Sequence, residues 1–591
     1  MRELRTLVPY FKRYSRVYAA GLLAVIGSNF LTTLTPKFLQ QGIDALAAPD
    51  PLSGLNRAAL LLVSAALAGG VLRYIMRQAL NSASRKVEYD LRNDFFAHLL
   101  SLPAGFYDRT PTGDLMARAT NDLLSVRMVA GPAIMYVVDT ITRALIIIPA
   151  MMAVSPRLAL LALAPLLALP AAEAFLGRRI HERSLAIQDH FGRLTDFVRE
   201  NVSGIRIVRA YNQETREITA FTRLSQEYLD RNQNLARVQA ALDPLLMLLG
   251  GLSSVIVLFA GGRLVIAGTV SRGEFVAFFV YLALLVWPLV FLGWAYNLTL
   301  RGRAAMSRIN AIWRVAPSIQ DPPAPRALPA STGARSVTFE DVWFRYPSTP
   351  EGSWVLQGIT FHVEAGTTIG VVGQTGAGKS ALVELIVRTY DPDKGRVLVD
   401  GLDVRDLRLR ALRETVGFVP QETFLFSETL RENVLLGAAD DGRLERVAET
   451  SQLAAAIPDL PNGYDTLLGE RGINLSGGQK QRAAIARALA QDPAVIVLDD
   501  ALSAVDSHTE ALILERLQGA LVGKTCLIVS HRAAAVRTAA EIVVLDGGRI
   551  VERGTYSALL AANGRFAELV RLQLLQEEIE GASEPKELAE G

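Results

Sequence analysis

The chain has 591 residues, half of them hydrophobic and a fifth charged, with a formal net charge of +2 and a mean hydropathy of +0.25. That length exceeds one ordinary core, the near-neutral balance gives no support to nucleic-acid binding, and the hydropathy points to a membrane protein. The one cysteine, Cys526, excludes an intrachain disulfide, and its place in the apolar run Cys-Leu-Ile-Val assigns it to a core.

Residues 1–16 set Arg2, Arg5, Lys12, Arg13 and Arg16 among Leu4, Leu7, Val8, Tyr10 and Phe11. The mixture suits an amphipathic elbow on the inner membrane face, and no cleavable signal peptide is expected. Crossing the bilayer takes about twenty apolar residues, because about 30 Å of hydrocarbon is spanned at 1.5 Å per residue. Six stretches are predicted to span: 17–36, 58–72, 128–154, 158–176, 241–262 and 275–300. Between them 73–127 and 177–240 are long, charged and helical in pattern, while the remaining connections are short and poor in Lys and Arg. The positive-inside rule then puts both long loops and both chain ends in the cytoplasm. A transmembrane domain over 17–316 follows.

Within it Asp139 and Arg143 lie four apart and are taken as an intrahelical pair in preference to a substrate contact. Glu173 and Asp243 approach the cytoplasmic ends of the fourth and fifth spans, and Arg301 and Arg303 the inner membrane edge.

The linker 317–335, with Pro322, Pro323, Pro325 and Pro329, can hold neither helix nor central strand. After it short apolar strands at 368–372, 494–498, 525–529 and 542–545 alternate with helical stretches, which predicts an α/β domain with a largely parallel sheet over 336–570. The charged tail 571–591 is expected to be solvated rather than packed.

Gly373-Gln374-Thr375-Gly376-Ala377-Gly378-Lys379-Ser380 is a phosphate-binding P-loop between a strand and a helix. Its glycines let backbone N–H groups approach phosphate oxygens, Lys379 supplies a point charge, and Ser380 offers a hydroxyl to Mg²⁺. Val495-Ile496-Val497-Leu498-Asp499 is a buried strand ending in a carboxylate, placed to orient Mg²⁺. In Leu475-Ser476-Gly477-Gly478-Gln479 the serine can cap a helix over 479–491, and two glycines bare donors beside its positive end, a second anion grip.

P-loop, Walker B aspartate and this signature peptide together resemble the ABC ATPases, and the six spans resemble the half-transporters of ABC exporters. The resemblance implies a transmembrane helical bundle fused to an α/β nucleotide-binding domain that hydrolyses ATP with Mg²⁺. It implies that Tyr346 stacks on adenine, that Gln421 senses Mg²⁺, that Ser503-Ala504-Val505-Asp506 is the D-loop, and that His531 contacts the γ-phosphate. Gly469-Glu470-Arg471-Gly472 resembles the exporter X-loop. Residues 106–115 and 200–211 resemble the two intracellular loops that touch nucleotide domains. In the family a signature closes on ATP held by another subunit, so a dimer in an inner membrane, exporting amphipathic drugs, lipids or peptides, is implied.

One residue departs from the family. The position after the Walker B aspartate is usually glutamate, and here it is Asp500. Aspartate is short by about 1.5 Å, and a misplacement of about 1 Å can cost about a hundredfold. The expectation is that this chain's own site hydrolyses ATP slowly and pairs with a glutamate-bearing subunit, as in heterodimeric exporters related to antigen-processing transporters. The alternatives are a homodimeric exporter using Asp500 as base and an ATP-binding scaffold subunit.

Overall fold

The structure, a computed structural model, describes residues 2–329, 333–350, 352–469, 472–505 and 507–583. It divides into two compact units, Met1–Leu100 with Gly113–Val315, and Ser101–Thr112 with Ala316–Gly591. The segment Ser101–Thr112, part of the first predicted intracellular loop, therefore belongs with the nucleotide-binding unit rather than with the helices that flank it in sequence.

The first unit is helical. Its long elements are α1 (Ser15–Ala45), α2 (Pro51–Ser101), α3 (Thr112–Val154), α4 (Pro156–Leu167), α5 (Leu169–Ser203), α6 (Glu214–Ala240), α7 (Leu242–Ile256, continued to Ile266 through a wider turn) and α8 (Arg272–Trp313). With 51 residues α2 is about 77 Å long, more than twice a hydrocarbon core, so one helix supplies both a span and its extension. Among the described residues five helices are long and apolar enough to cross a membrane: α1, α2, α3, Met247–Ile266 of α7, and α8.

Two helices make up the fourth predicted stretch. Instead of one helix over 158–176, α4 stops at Leu167 and α5 restarts at Leu169, with Pro170 in its first turn. Proline has no N–H to give and its ring opposes the carbonyl four residues back, which breaks the ladder there.

Buried side chains from α3, α4 and α8, among them Ile147, Met151, Leu158, Phe278 and Leu282, form this unit's largest apolar cluster. The pair between Asp139 and Arg143 is present at 3.1 Å, and Asn29 Oδ1 accepts from the same Arg143 Nε at 3.1 Å. The side chains of Glu173 and Asp243 lie outside the described residues. At the N-terminus two short helices, Arg2–Leu7 and Val8–Arg13, are pinned by Leu7, fully buried, and by the Tyr10 hydroxyl donating to Asp94 at 2.6 Å.

The second unit holds two sheets. A four-stranded antiparallel sheet, which the sequence pattern did not reveal, has the order β2-β1-β4-β5, from β1 (Val337–Phe344), β2 (Leu356–Val363), β4 (Lys394–Val399) and β5 (Leu402–Asp403). A six-stranded sheet has the order β10-β9-β3-β8-β7-β6, from β3 (Thr368–Gly373), β6 (Val416–Val419), β7 (Val495–Asp499), β8 (Thr525–Ser530), β9 (Glu541–Asp546) and β10 (Arg549–Gly554). All neighbours in it are parallel except β9 and β10. Both β7 and β8 are buried along their whole length, as parallel strands covered on both faces must be.

The helices that matter to the site are α9 (Lys379–Ile386), α10 (Gly477–Ala490), α11 (Ser507–Ala520) and α12 (Arg565–Ser583). The last begins before the charged tail and runs into it: Phe566 is fully buried in the core, while Arg571, Leu572, Leu574 and Leu575 are exposed.

Candidate active site

Strand register assembles the site. Val372 pairs with Ser530 and Asp499 with Val529. The P-loop after β3, the acid ending β7 and the histidine after β8 therefore leave one sheet edge side by side, where parallel α/β sheets bind ligands.

The P-loop is bent by left-handed glycines, Gly376 at φ +84° and Gly378 at φ +97°. A Cβ on Gly378 would stand 2.7 Å from the Val355 carbonyl oxygen, and one on Gly373 would collide with the Leu545 carbonyl. Gly378 also brings no side chain to cap α9, so the first N–H groups of that helix stay available to an anion. Gln374 and Thr375 are exposed on the loop and Ala377 is buried beneath it. Lys379 folds its ammonium over the loop, donating to the carbonyls of Gly373 at 2.8 Å and Gln374 at 3.0 Å. Burial lowers its pKa, since a half-desolvated cation is less stable than a hydrated one.

Asp499 is 4 % exposed. Burial raises its pKa, opposed by the Ser380 hydroxyl that donates to it. The two groups proposed to hold the metal are thus already paired. Gln421, the third, is exposed in the loop after β6.

Asp500 is buried and accepts from His531 Nδ1 through both carboxylate oxygens. Its backbone N–H donates to the Val529 carbonyl at 2.8 Å.

Tyr346 donates its hydroxyl to Glu384 Oε2 of α9 at 2.8 Å, and its ring meets Phe344 and Tyr390 edge-on. Burial raises the pKa of both the phenol and the Glu384 carboxyl. Tyr390 in turn donates to Asp108 of the Ser101–Thr112 segment at 2.8 Å.

The signature peptide forms the expected cap. Ser476 Oγ accepts from the Gln479 N–H at 3.2 Å, and Gln479 Oε1 accepts from the Ser476 N–H at 2.8 Å. Gly477 and Gly478 pack against Ala504, where a Cβ would stand within 3.3 and 3.1 Å. Among the described residues no hydrogen bond joins the signature to the P-loop. The helix that the signature opens bonds instead to the 503–504 turn, with Gln481 donating to Ser503 Oγ at 3.0 Å and accepting from the Ala504 N–H at 2.9 Å. Asp506, Glu470 and Arg471 lie outside the described residues. Sequence reasoning missed Glu384 and Gln481, neither of which sits in a recognisable motif.

The family model for the ABC transporter transmembrane region matches residues 18–289, and the one described as ABC transporter matches 356–503. The chain is 36% identical to the probable multidrug resistance ABC transporter ATP-binding/permease protein YheI of Bacillus subtilis, over 98% of this chain and 99% of that one. It is 33% identical to the multidrug resistance-like ATP-binding protein MdlA of Escherichia coli, over the whole of both. An ATP-dependent lipid A-core flippase of Syntrophus aciditrophicus is 31% identical over 98% and 96%. The solved structure of a bacterial Atm1-family ABC exporter with ATP bound superposes with a TM-score of 0.77 at 26% identity, covering 94% of this chain and 99% of that one.

Proposed function

The chain belongs to the ABC transporter family as an exporter half-transporter, a helical transmembrane region fused to an ATPase domain that couples ATP hydrolysis to transport, and from that premise we propose that it is one subunit of a heterodimeric exporter of amphipathic compounds. The cargo class is drugs, lipids or peptides, in keeping with the multidrug and lipid A-core names of its relatives. The heterodimeric design resembles peptide exporters related to antigen-processing transporters, and within them the TmrB subunit of the TmrAB exporter. The membrane is the inner one, with both chain ends and the ATPase domain on the cytoplasmic side.

In this reading the loop Gly373–Ser380 cradles the phosphates and Tyr346 receives the adenine. The hydroxyl of Ser380, the carboxylate of Asp499 and the amide of Gln421 form an all-oxygen donor set suited to Mg²⁺. The ion, bound with nucleotide, neutralises charge that develops on the transferred phosphoryl group. His531 contacts the γ-phosphate, and Ser476, Gly477, Gly478 and Gln479 complete the site of the partner subunit.

The observation that carries the heterodimer is Asp500. Its side chain is one methylene shorter than the usual base, and both of its oxygens are engaged by His531. A carboxylate so held is poorly placed to activate a water, so this chain's own site turns over slowly and the fast site uses the partner's glutamate.

Purification of the transporter from its native host, with mass spectrometry of what accompanies this chain, tests the reading. A second half-transporter with glutamate after its Walker B aspartate is expected, and a single species would favour a homodimer.

A further inference from the structure

The geometry points to Gln573 as a positioning residue for the switch histidine, tying helix α12 to the nucleotide site. His531 stands in a short loop between the end of β8 at Ser530 and the turn Ala534–Val536. The carboxamide of Gln573 holds both sides of that loop. Its Oε1 accepts from the Ala533 N–H at 2.9 Å, and its Nε2 donates to the His531 carbonyl.

A carbonyl at one residue and an N–H two residues on are the pair that a neighbouring parallel strand would bracket. One side chain therefore extends the sheet's bonding pattern past the point where β8 ends. On the near side of the loop, Arg532 N–H donates to Ser530 Oγ at 2.9 Å and its guanidinium to Glu510 Oε2 at 2.6 Å. These bonds fix the loop at residue 532, whereas Gln573 grips the His531 carbonyl itself.

Gln573 is held in turn by its helix. Phe566, Leu569, Val570 and Gln573 fall at the spacing of one helical face, and the three apolar members pack into the core. Glu552 receives the first N–H groups of α12, those of Arg565 and Phe566, at 2.5 and 3.0 Å. A cavity of about 420 Å³ lies beside this contact, lined by Gly373, Thr375, His531, Leu572 and Gln573 among others. With Nδ1 of His531 committed to Asp500, the ring reaches a γ-phosphate only through Nε2, and its backbone position sets where that nitrogen stands.

The inference rests on the reading of His531 as the γ-phosphate contact, and the experiment separates the two. Photolabelling of this chain in the intact, membrane-reconstituted transporter with 8-azido-ATP and 8-azido-ADP, in the cold with Mg²⁺, gives the ATP-to-ADP affinity ratio at its own P-loop. Gln573→Met is expected to lower the ratio about tenfold, with ADP affinity held within about twofold and the melting temperature unchanged. Gln573→Glu keeps the acceptor for Ala533 and is expected to fall between. Exchange of the Ala533 amide should quicken about tenfold in Gln573→Met.

An unchanged ratio in Gln573→Met, beside a ratio that falls in His531→Ala, would overturn the proposal alone. An unchanged ratio in His531→Ala would remove the switch reading and the proposal with it. Equal losses of ATP and ADP affinity in Gln573→Met would show a merely structural role and also overturn it.

Discussion

His531 donates from Nδ1 to both oxygens of the Asp500 carboxylate, at 2.8 and 3.0 Å. The acid keeps 10 % side-chain exposure and the imidazole 45 %, so the pair faces the nucleotide side through its histidine. Asp500 also sits at φ +50°, in the left-handed region that aspartate tolerates better than longer side chains. A side chain one methylene shorter is what separates this residue from glutamate.

Asp500→Glu lengthens the side chain by one methylene and is expected to raise hydrolysis at this site about ten- to a hundredfold, the scale of a misplacement of about 1 Å. The measurement is ATP turnover with the partner's glutamate neutralised, so that only this site contributes. Unchanged turnover in a folded variant would refute reach as the cause of slow hydrolysis.

Burial holds the Asp499 carboxyl above its ordinary value of 3.8. The folded, nucleotide-free chain therefore binds protons the unfolded chain has lost, and stability falls as pH rises through the folded value. Asp499→Asn removes that loss. The variant should melt above the parent at neutral pH, with the gap closing on acidification, while Mg²⁺-dependent ATP turnover is abolished. A gap that widens on acidification contradicts the assignment.

Ser476→Ala deletes the acceptor for the Gln479 N–H and should cost about 1 kcal/mol of stability. Ser476→Asp restores a good cap but sets a negative charge where the signature meets phosphate, so it should melt like the parent and lose turnover about a hundredfold. Recovered turnover in Ser476→Asp would show that the serine only caps.

Tyr390→Phe removes the 2.8 Å bond to Asp108 and keeps the ring contacts with Phe344 and Tyr346. ATP affinity should stay within about twofold, while transport per ATP hydrolysed falls about fivefold or more, the scale of one hydrogen bond to a charged group. Paired transport and ATPase measurements in proteoliposomes decide it.

Cys526 is fully buried, and burial pushes its thiol up to about 12. A maleimide should therefore leave this chain unlabelled in the native transporter and label its one thiol once it is denatured. Labelling under native conditions would mean that β8 opens.

Much of this protein is written in local pattern. Unbroken apolar runs mark spans because lipid offers backbone groups no partner, and the P-loop, the Walker B strand and the Ser476 cap are recognisable because each works through neighbours in sequence. Over 158–176 apolarity is continuous, yet the helix is interrupted at Ala168, just before Pro170. The rest depended on pairings across long stretches of chain. The antiparallel sheet pairs β1 with the distant β4, Val337 opposite Val399, the segment Ser101–Thr112 joins the nucleotide unit, and Gln573 reaches His531 across 42 residues. Such contacts are set by strand register and helix packing, which bring side chains together in space without leaving a spacing between them to be read.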